Sequence, residues 1–267
     1  MLIRYPGSKD RHLSFLREHI DPLASRTRSV AEPFAGTASV TFDLLRRGVV
    51  DSYAISDIDS GMVSLWRTVR NDPEWLIDAV EGYTPTVDDF YLFRDEPGRD
   101  ERERAFRKIV LHQISYSGLG AAAGSPIGGR AQKSAYTVDC RWSPKRLTRG
   151  IRECSTLLNS AAGSITDQSW VSGLSDAIDQ GMFVYLDPPY IDQGAKLYAN
   201  GDIDHARLSR ILRSAEGANW LISYDNSAQI DPLYGDWANV LGVDVLSHLH
   251  HKTITDVIIT PRSHHGE

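Results

Sequence analysis

The chain has 267 residues, enough to bury a substantial core without disulfide or metal staples. Its 41% hydrophobic and 24% charged residues exclude disordered, collagenous and fibrous classes, and no apolar run approaches the roughly 18 residues of a membrane span. The formal charge of -6 is unevenly spread: from Arg104 to Arg152 ten Lys/Arg stand against one acidic residue, Asp139, so this stretch is net +9 and the remainder net −15.

The first residues, MLIRYPGSKDRH, carry no apolar signal core, so a cytoplasmic protein is expected. A helix is expected from about Leu13. Val30 to Phe34 reads as a strand running into a Gly turn, Val40, Leu44 and Leu45 as a helix face, Tyr53 to Ile58 as a second strand, and a further helix opens at Ser60. From 67 to 159 the texture turns helical, with helices expected at 73–81, 87–95, 101–117 and 144–159 around a Gly/Ser/Ala-rich loop. The β-α texture resumes with strands near Ser164–Trp170, Met182–Asp187, Trp220–Tyr224, Asn239–Leu246 and Ile254–Thr260, and helices at 204–216 and 227–234. Strands alternating with helices imply a largely parallel sheet covered on both faces, closed by a terminal antiparallel hairpin. The expected division is a catalytic part, 1–66 and 160–267, and a helical insert, 67–159.

Three segments carry chemistry. Glu32-Pro33-Phe34-Ala35-Gly36-Thr37-Ala38-Ser39 follows a strand and opens a helix, and Gly36 allows backbone to approach a ligand closely. Twenty-one residues on, Asp57 ends the second strand, the offset at which a carboxylate accepts from ribose hydroxyls. The turn is not the G-x-G-x-x-G of a dinucleotide site, and a lone Gly turn also serves plain packing. Asp187-Pro188-Pro189-Tyr190 directly follows the apolar run Met182–Leu186. A chance match to these four letters is on the order of one in a thousand from average residue frequencies. An exocyclic amine on a nucleobase is a poor nucleophile, because its lone pair is delocalised into the ring. The Asp187 carboxylate and the Pro188 carbonyl supply acceptors for its N–H bonds, and the Tyr190 ring offers a face for an extruded base. In Arg4-Tyr5-Pro6-Gly7-Ser8-Lys9, an aromatic beside a Gly turn and a lysine suits one side of a bound cofactor; a frayed terminus reads the same way.

Together, Arg4–Lys9, Ala31–Phe42, Ile55–Asp59 and Val184–Tyr190 resemble the DNA adenine N6-methyltransferase family, the Dam-like class with a D-P-P-Y motif. Its order is an aromatic-x-Gly-Gly-Lys segment, E-P-F-x-G-x-G, an acidic motif, a target-recognition insert and D-P-P-Y, and this chain follows it, with Ser8 and Ala38 in place of glycines. The likeness extends to Ile222-Ser223-Tyr224 and Asp256–Thr260, and within the insert to Tyr116-Ser117-Gly118-Leu119. The resemblance implies a Rossmann-like S-adenosylmethionine-dependent α/β sheet with an inserted helical target-recognition domain. It implies methyl transfer to the N6 amine of a flipped adenine in double-stranded DNA. S-adenosylmethionine is then expected to contact Tyr5, Lys9, Asp57 and Asp187, with Phe34 and Gly36 lining the pocket and Asp167 near the adenine. Asp187, Pro188, Pro189 and Tyr190 are the expected catalytic residues.

Competing chemistries fit less well. A cytosine-C5 enzyme needs a cysteine nucleophile, generally after proline, but Cys140 follows Asp139 and Cys154 follows Glu153; both read as reduced structural thiols. N4-cytosine enzymes usually begin the tetrapeptide with serine, and RNA or glutamine-amide enzymes with asparagine. A vestigial DNA-binding module would have lost Tyr5, Lys9, Asp57 and Asp187. His248, His250 and His251, with His264 and His265, lack the cysteines or spacing of a zinc set, so no metal is expected. The basic block is the electrostatic footprint of phosphate binding, although a solvated helix face carries charge in the same way. Arg130 and Lys133 in the Gly-rich loop and Arg141, Lys145 and Arg146 beyond it are the expected DNA contacts. Arg130 is the candidate for entering a groove. Ile191–Ile203 reads as either a loop closing over the base or a plain connection.

Overall fold

The computed structural model describes residues 2, 3, 9, 13–191, 203–247 and 252–262, with the backbone alone described at 243–247 and 252–255. Tyr5 and its neighbours 4–8, most of the 191–203 stretch, and all five histidines considered for zinc lie outside these residues.

Seven strands form one sheet in the order β3-β2-β1-β4-β5-β7-β6: β1 Ser29–Glu32, β2 Ser52–Ser56, β3 Ala162–Thr166, β4 Phe183–Leu186, β5 Trp220–Asp225, β6 Ala238–Ser247 and β7 Lys252–Pro261. β1 to β5 pair in parallel, whereas β7 runs antiparallel to both β5 and β6, giving the expected terminal hairpin. β1 and β4 are buried at every residue because helices cover both faces, which explains their continuous apolar texture.

Successive side chains of each strand serve opposite faces. Val30, Tyr53, Ile55, Phe183, Tyr185 and Leu221 pack under α1 (Leu13–Thr27), α2 (Ser39–Arg46), α3 (Ser60–Asn71), α4 (Pro73–Glu81), α6 (Glu101–Ile114) and α7 (Pro144–Asn159). Ala31, Val184, Leu186 and Ile222 pack against α8 (Trp170–Asp179) and α9 (His205–Ser214). A smaller cluster, built from Phe90 and Phe93 of α5 (Val87–Asp95), Val110, Leu111 and Ile114 of α6, and Ala123 and Val138, stands apart from the sheet. The expected division at residue 67 falls inside α3, and α4 and α7 share the core of the sheet.

Three sequence expectations need correction. The strand placed at Ser164–Trp170 ends at Thr166, and Trp170 opens α8, a helix missed because its first residues are aromatic and β-branched. Ser169 starts that helix by accepting from the Ser172 N–H at 3.2 Å. The helix at 227–234 is a single π turn, Asp231–Gly235, where Pro232 prevents a regular helix from propagating. α6 stops at Ile114 rather than 117, because Ser115 is extended and Ser117 and Gly118 have φ of 56° and 74°.

The order of the parallel strands reverses between β1 and β4, and in such sheets a crevice opens at the carboxyl ends there. The Pro33–Ala38, Asp57–Asp59 and Asp187–Tyr190 turns all leave that same edge.

Candidate active site

The turn after β1 is fixed from beneath by its neighbour. Ala35 N–H donates to the Ser56 carbonyl at 3.0 Å, Gly36 N–H to Asp57 Oδ2 at 2.8 Å, and Trp66 Nε1 of α3 to the Gly36 carbonyl at 2.9 Å. Gly36 and Ala38 both adopt left-handed backbone, with φ of 46° and 48°. Asp57 Oδ1 accepts from Asp59 N–H at 2.9 Å. A carboxylate has about four acceptor positions, so each Asp57 oxygen keeps one for a ligand. Burial pushes the Asp57 carboxyl up to about 6, and nearby Asp59 adds to this; the two N–H bonds and the Lys108 ammonium act against it. Beside it Ile58 is 61% exposed, an apolar surface at an otherwise packed strand end.

Asp187 leaves the end of β4 with a side chain 21% exposed. Lys9 Nζ lies 3.1 Å from its Oδ1, and Ser223 Oγ of β5 donates to the same oxygen at 3.2 Å. Among the described residues both groups meet Oδ1, and Oδ2 has no partner there. Burial raises the Asp187 carboxyl, and Lys9 and Ser223 counter it. Burial would depress the Lys9 ammonium, but Asp187, Tyr185 and Tyr190 outweigh this and hold it well above the usual lysine range. Lys9 is therefore a permanent counter-charge for Asp187, and it also lies 5.3 Å from the centre of the Tyr190 ring. Pro188 is buried, and Pro189 and Tyr190 are half-buried. Behind them Glu32 accepts from Thr41 N–H at 2.6 Å; burial pushes its carboxyl up to about 8, so it is largely neutral at pH 7.

Phe34 faces Trp170 of α8, with ring centroids 5.9 Å apart and planes 24° from parallel. A cleft beside them is lined by Pro33, Ser56, Thr166, Gln168 and Asp176. Asp167, just beyond β3, is exposed and lies 3.5 Å from Arg67 of α3. Thus Lys9, Phe34, Gly36, Asp57, Asp167 and the D-P-P-Y residues lie along one edge of the sheet. Sequence reasoning missed Ile58, Trp66, Trp170, Arg67 and Lys108. The exposed isoleucine next to a motif aspartate was a readable signal; the others depend on tertiary packing.

The basic block separates into two populations. On α6, Arg107 pairs with Glu103, Lys108 with Asp59, and Arg104 donates to Ser64 Oγ at 3.2 Å; on α7, Arg152 lies 3.4 Å from Glu74. Arg146 donates to Gln113 Oε1 at 2.7 Å and is half-buried. Arg130, Lys133, Arg141 and Lys145 are exposed, and among the described residues none has a carboxylate partner. Arg130 stacks on Tyr91 of α5, its guanidinium 4.9 Å from the ring centre. The exposed Tyr116 and Tyr136 flank this loop.

The family model for D12 class N6 adenine-specific DNA methyltransferases matches residues 5–249. The chain belongs to this family. As an adenine-specific DNA methyltransferase it uses S-adenosylmethionine as methyl donor, and DNA is its substrate. It is similar to the type II methyltransferase M.MjaIII of Methanocaldococcus jannaschii, 23% identical over 86% of this chain and 84% of that protein. It is also similar to the type II methyltransferase M1.LlaDCHI of Lactococcus lactis subsp. cremoris, 28% identical over 60% of this chain and 56% of that protein. Among solved structures it matches the rRNA methyltransferase aviRa from Streptomyces viridochromogenes, with 15% identity, a TM-score of 0.37, and coverage of 87% of this chain and 76% of that one. No helix among the described residues of this DNA methyltransferase is long and apolar enough to cross a membrane, and no group of three or more His, Cys, Asp or Glu among them is arranged to hold a metal ion.

Proposed function

We propose that this chain methylates N6 of an adenine extruded from double-stranded DNA at a specific site, with Asp187 and the Pro188 carbonyl as acceptors for the amine. The observation that carries this reading is the placement of Asp187. It sits at the switch point of the sheet with Oδ1 engaged by Lys9 and Ser223 and Oδ2 open.

The methyl donor supplies a sulfonium with a good leaving group, so the protein chiefly has to bind, orient and polarise. The open acceptor positions of Asp57 and the exposed face of Ile58 fit the donor's ribose and adenine. Phe34 and Gly36 line that pocket, with Asp167 at its rim and Tyr5 as a further contact. Lys9, assigned by resemblance to the cofactor, serves in this reading to keep Asp187 ionised in a buried setting. Pro189 stiffens the turn, and Tyr190 stacks on the base. The excess proton leaves the amine after transfer, so no strong general base is needed. The segment 83–142, with its own small core, acts as the target-recognition part. There Arg130, Lys133 and Arg141 contact DNA, joined from the start of α7 by Lys145 and by Arg146, which uses the N–H groups that Gln113 leaves.

The test is sequencing that detects N6-methyladenine in duplex DNA treated with the protein and S-adenosylmethionine. Wild type should mark adenine in one recurrent sequence, while Asp187→Ala loses far more than tenfold in turnover with DNA binding retained. If Asp187→Ala keeps more than a tenth of the rate, a barrier change of only ~1.4 kcal/mol, the assigned role is wrong.

A further inference from the structure

An ion pair joins the turn that carries Asp57 to the helical segment. Lys108 sits in the middle of α6, yet its ammonium reaches across to the Asp59 carboxylate. Both side chains are largely shielded, 13% and 34% exposed, so the attraction is little screened by solvent. Asp59 is the N-cap of α3: its Oδ1 accepts from Gly61 N–H at 2.9 Å and Met62 N–H at 3.2 Å, leaving Oδ2 to Lys108. Its own N–H donates to Asp57 Oδ1. The Lys108 stem fills the space beside Gly61, where an added Cβ would stand 3.1 Å from Lys108 Cδ. One turn further along α6, the His112 ring donates from Nδ1 to the Gly118 carbonyl at 2.8 Å, at the root of the loop that carries Arg130.

The geometry points to Lys108 as a positioning residue for the methyl donor, acting through Asp59 to hold Asp57, so that cofactor binding depends on the helical segment. This rests on the reading of Asp57 as acceptor for the ribose hydroxyls. A chain of two contacts runs from α6 to the pocket: Lys108 fixes Asp59, and Asp59 fixes Asp57. Lys108 also acts through its charge. Among the described residues the charged groups facing Asp57 are Asp59, from its own turn, and Lys108, from α6. His112, also near Asp59 on α6, stays neutral, because burial and Lys108 push it down to about 3. Removing the ammonium takes away the opposing charge and leaves the like charge of Asp59, so the Asp57 proton is held to higher pH.

The experiment measures S-adenosylmethionine affinity of the DNA-free full-length protein by calorimetry between pH 5.5 and 8.5, for wild type, Lys108→Met, Lys108→Arg, Asp59→Asn and Asp57→Asn. Wild-type affinity should fall as pH drops through about 6, where Asp57 takes up a proton. Lys108→Met should weaken binding at least fivefold at pH 7 and move the midpoint up by roughly one pH unit, and Lys108→Arg should restore most of both. Asp59→Asn removes the like charge and should move the midpoint down, a variant that reports even if Lys108→Met fails to fold. If Asp57→Asn binds as wild type, the ribose assignment itself is wrong and the inference falls with it. If Asp57→Asn is weakened while Lys108→Met lowers only thermal stability, with midpoint and affinity unchanged, Lys108 is a structural tie and the inference alone is overturned.

Discussion

At the carboxyl edge of the sheet Asp57, Asp187 and Lys9 are each held by partners from neighbouring strands or turns before any ligand arrives. In the loop between α6 and α7 the cations Arg130, Lys133 and Arg141 project into solvent with no carboxylate partner among the described residues, Arg130 alone of the three resting on an aromatic face. Under the function proposed above, the difference follows from what each region binds. A methyl donor and a single base need fixed geometry, which burial and short hydrogen bonds provide. A duplex backbone needs positive charge free to follow its phosphates.

The largest expected effect probes how far the buried edge is committed to one protonation state. Glu32 is fully desolvated, and its carboxyl is raised to about 8. A carboxyl whose folded-state pKa is raised contributes stability that is fully present below its unfolded value near 4.5 and is lost as pH rises through about 8. Glu32→Gln imitates the neutral form and keeps an oxygen for Thr41 N–H. It should gain on wild type in denaturant unfolding as pH rises from about 5 to 8, with a slope of up to ~1.4 kcal/mol per pH unit. Parallel curves for the two proteins would show that Glu32 is ionised when buried.

The second prediction tests the open region. Removing a phosphate contact should lower the slope of log affinity against log salt by about 0.9. Lys145→Ala should do this and weaken binding to all duplexes alike. Arg130→Ala should also change which sites are methylated, because a guanidinium poised by Tyr91 can pair bidentately with guanine. An unchanged site pattern at uniformly lower yield would reduce Arg130 to a phosphate contact.

The same contrast explains what could be read from the chain. The placement of the Gly36 turn, Asp57 and Asp187-Pro188-Pro189-Tyr190 at strand ends was legible, because the apolar runs before them mark the strands. The basic block was legible only as a sum. Counting charges cannot separate Lys108 and Arg107, which turn inward to Asp59 and Glu103, from Lys133 and Arg141, which face solvent. Trp170 reads as strand on propensity, yet Ser169 caps a helix there and the ring stacks on Phe34. Such outcomes are decided by tertiary packing overriding local preference.

The smallest expected effect concerns Ala38, where the family's second glycine is missing. Its backbone is left-handed, φ 48°, and its methyl is fully buried. A left-handed alanine costs roughly 1–2 kcal/mol. Two terms oppose the relief that glycine would bring: the lost buried methyl, about 0.8 kcal/mol, and the greater freedom of glycine in the unfolded chain, roughly 0.5–1 kcal/mol. The three nearly cancel, so Ala38→Gly should change the unfolding free energy by less than about 1 kcal/mol. Ala38→Val should lose more than about 2 kcal/mol, since a β-branched residue tolerates this backbone poorly and has no space to occupy. Urea unfolding of both variants separates the terms. A gain above about 2 kcal/mol for Ala38→Gly would mean that the turn after β1 stores strain, and that the edge of the sheet is less relaxed than its hydrogen bonds imply.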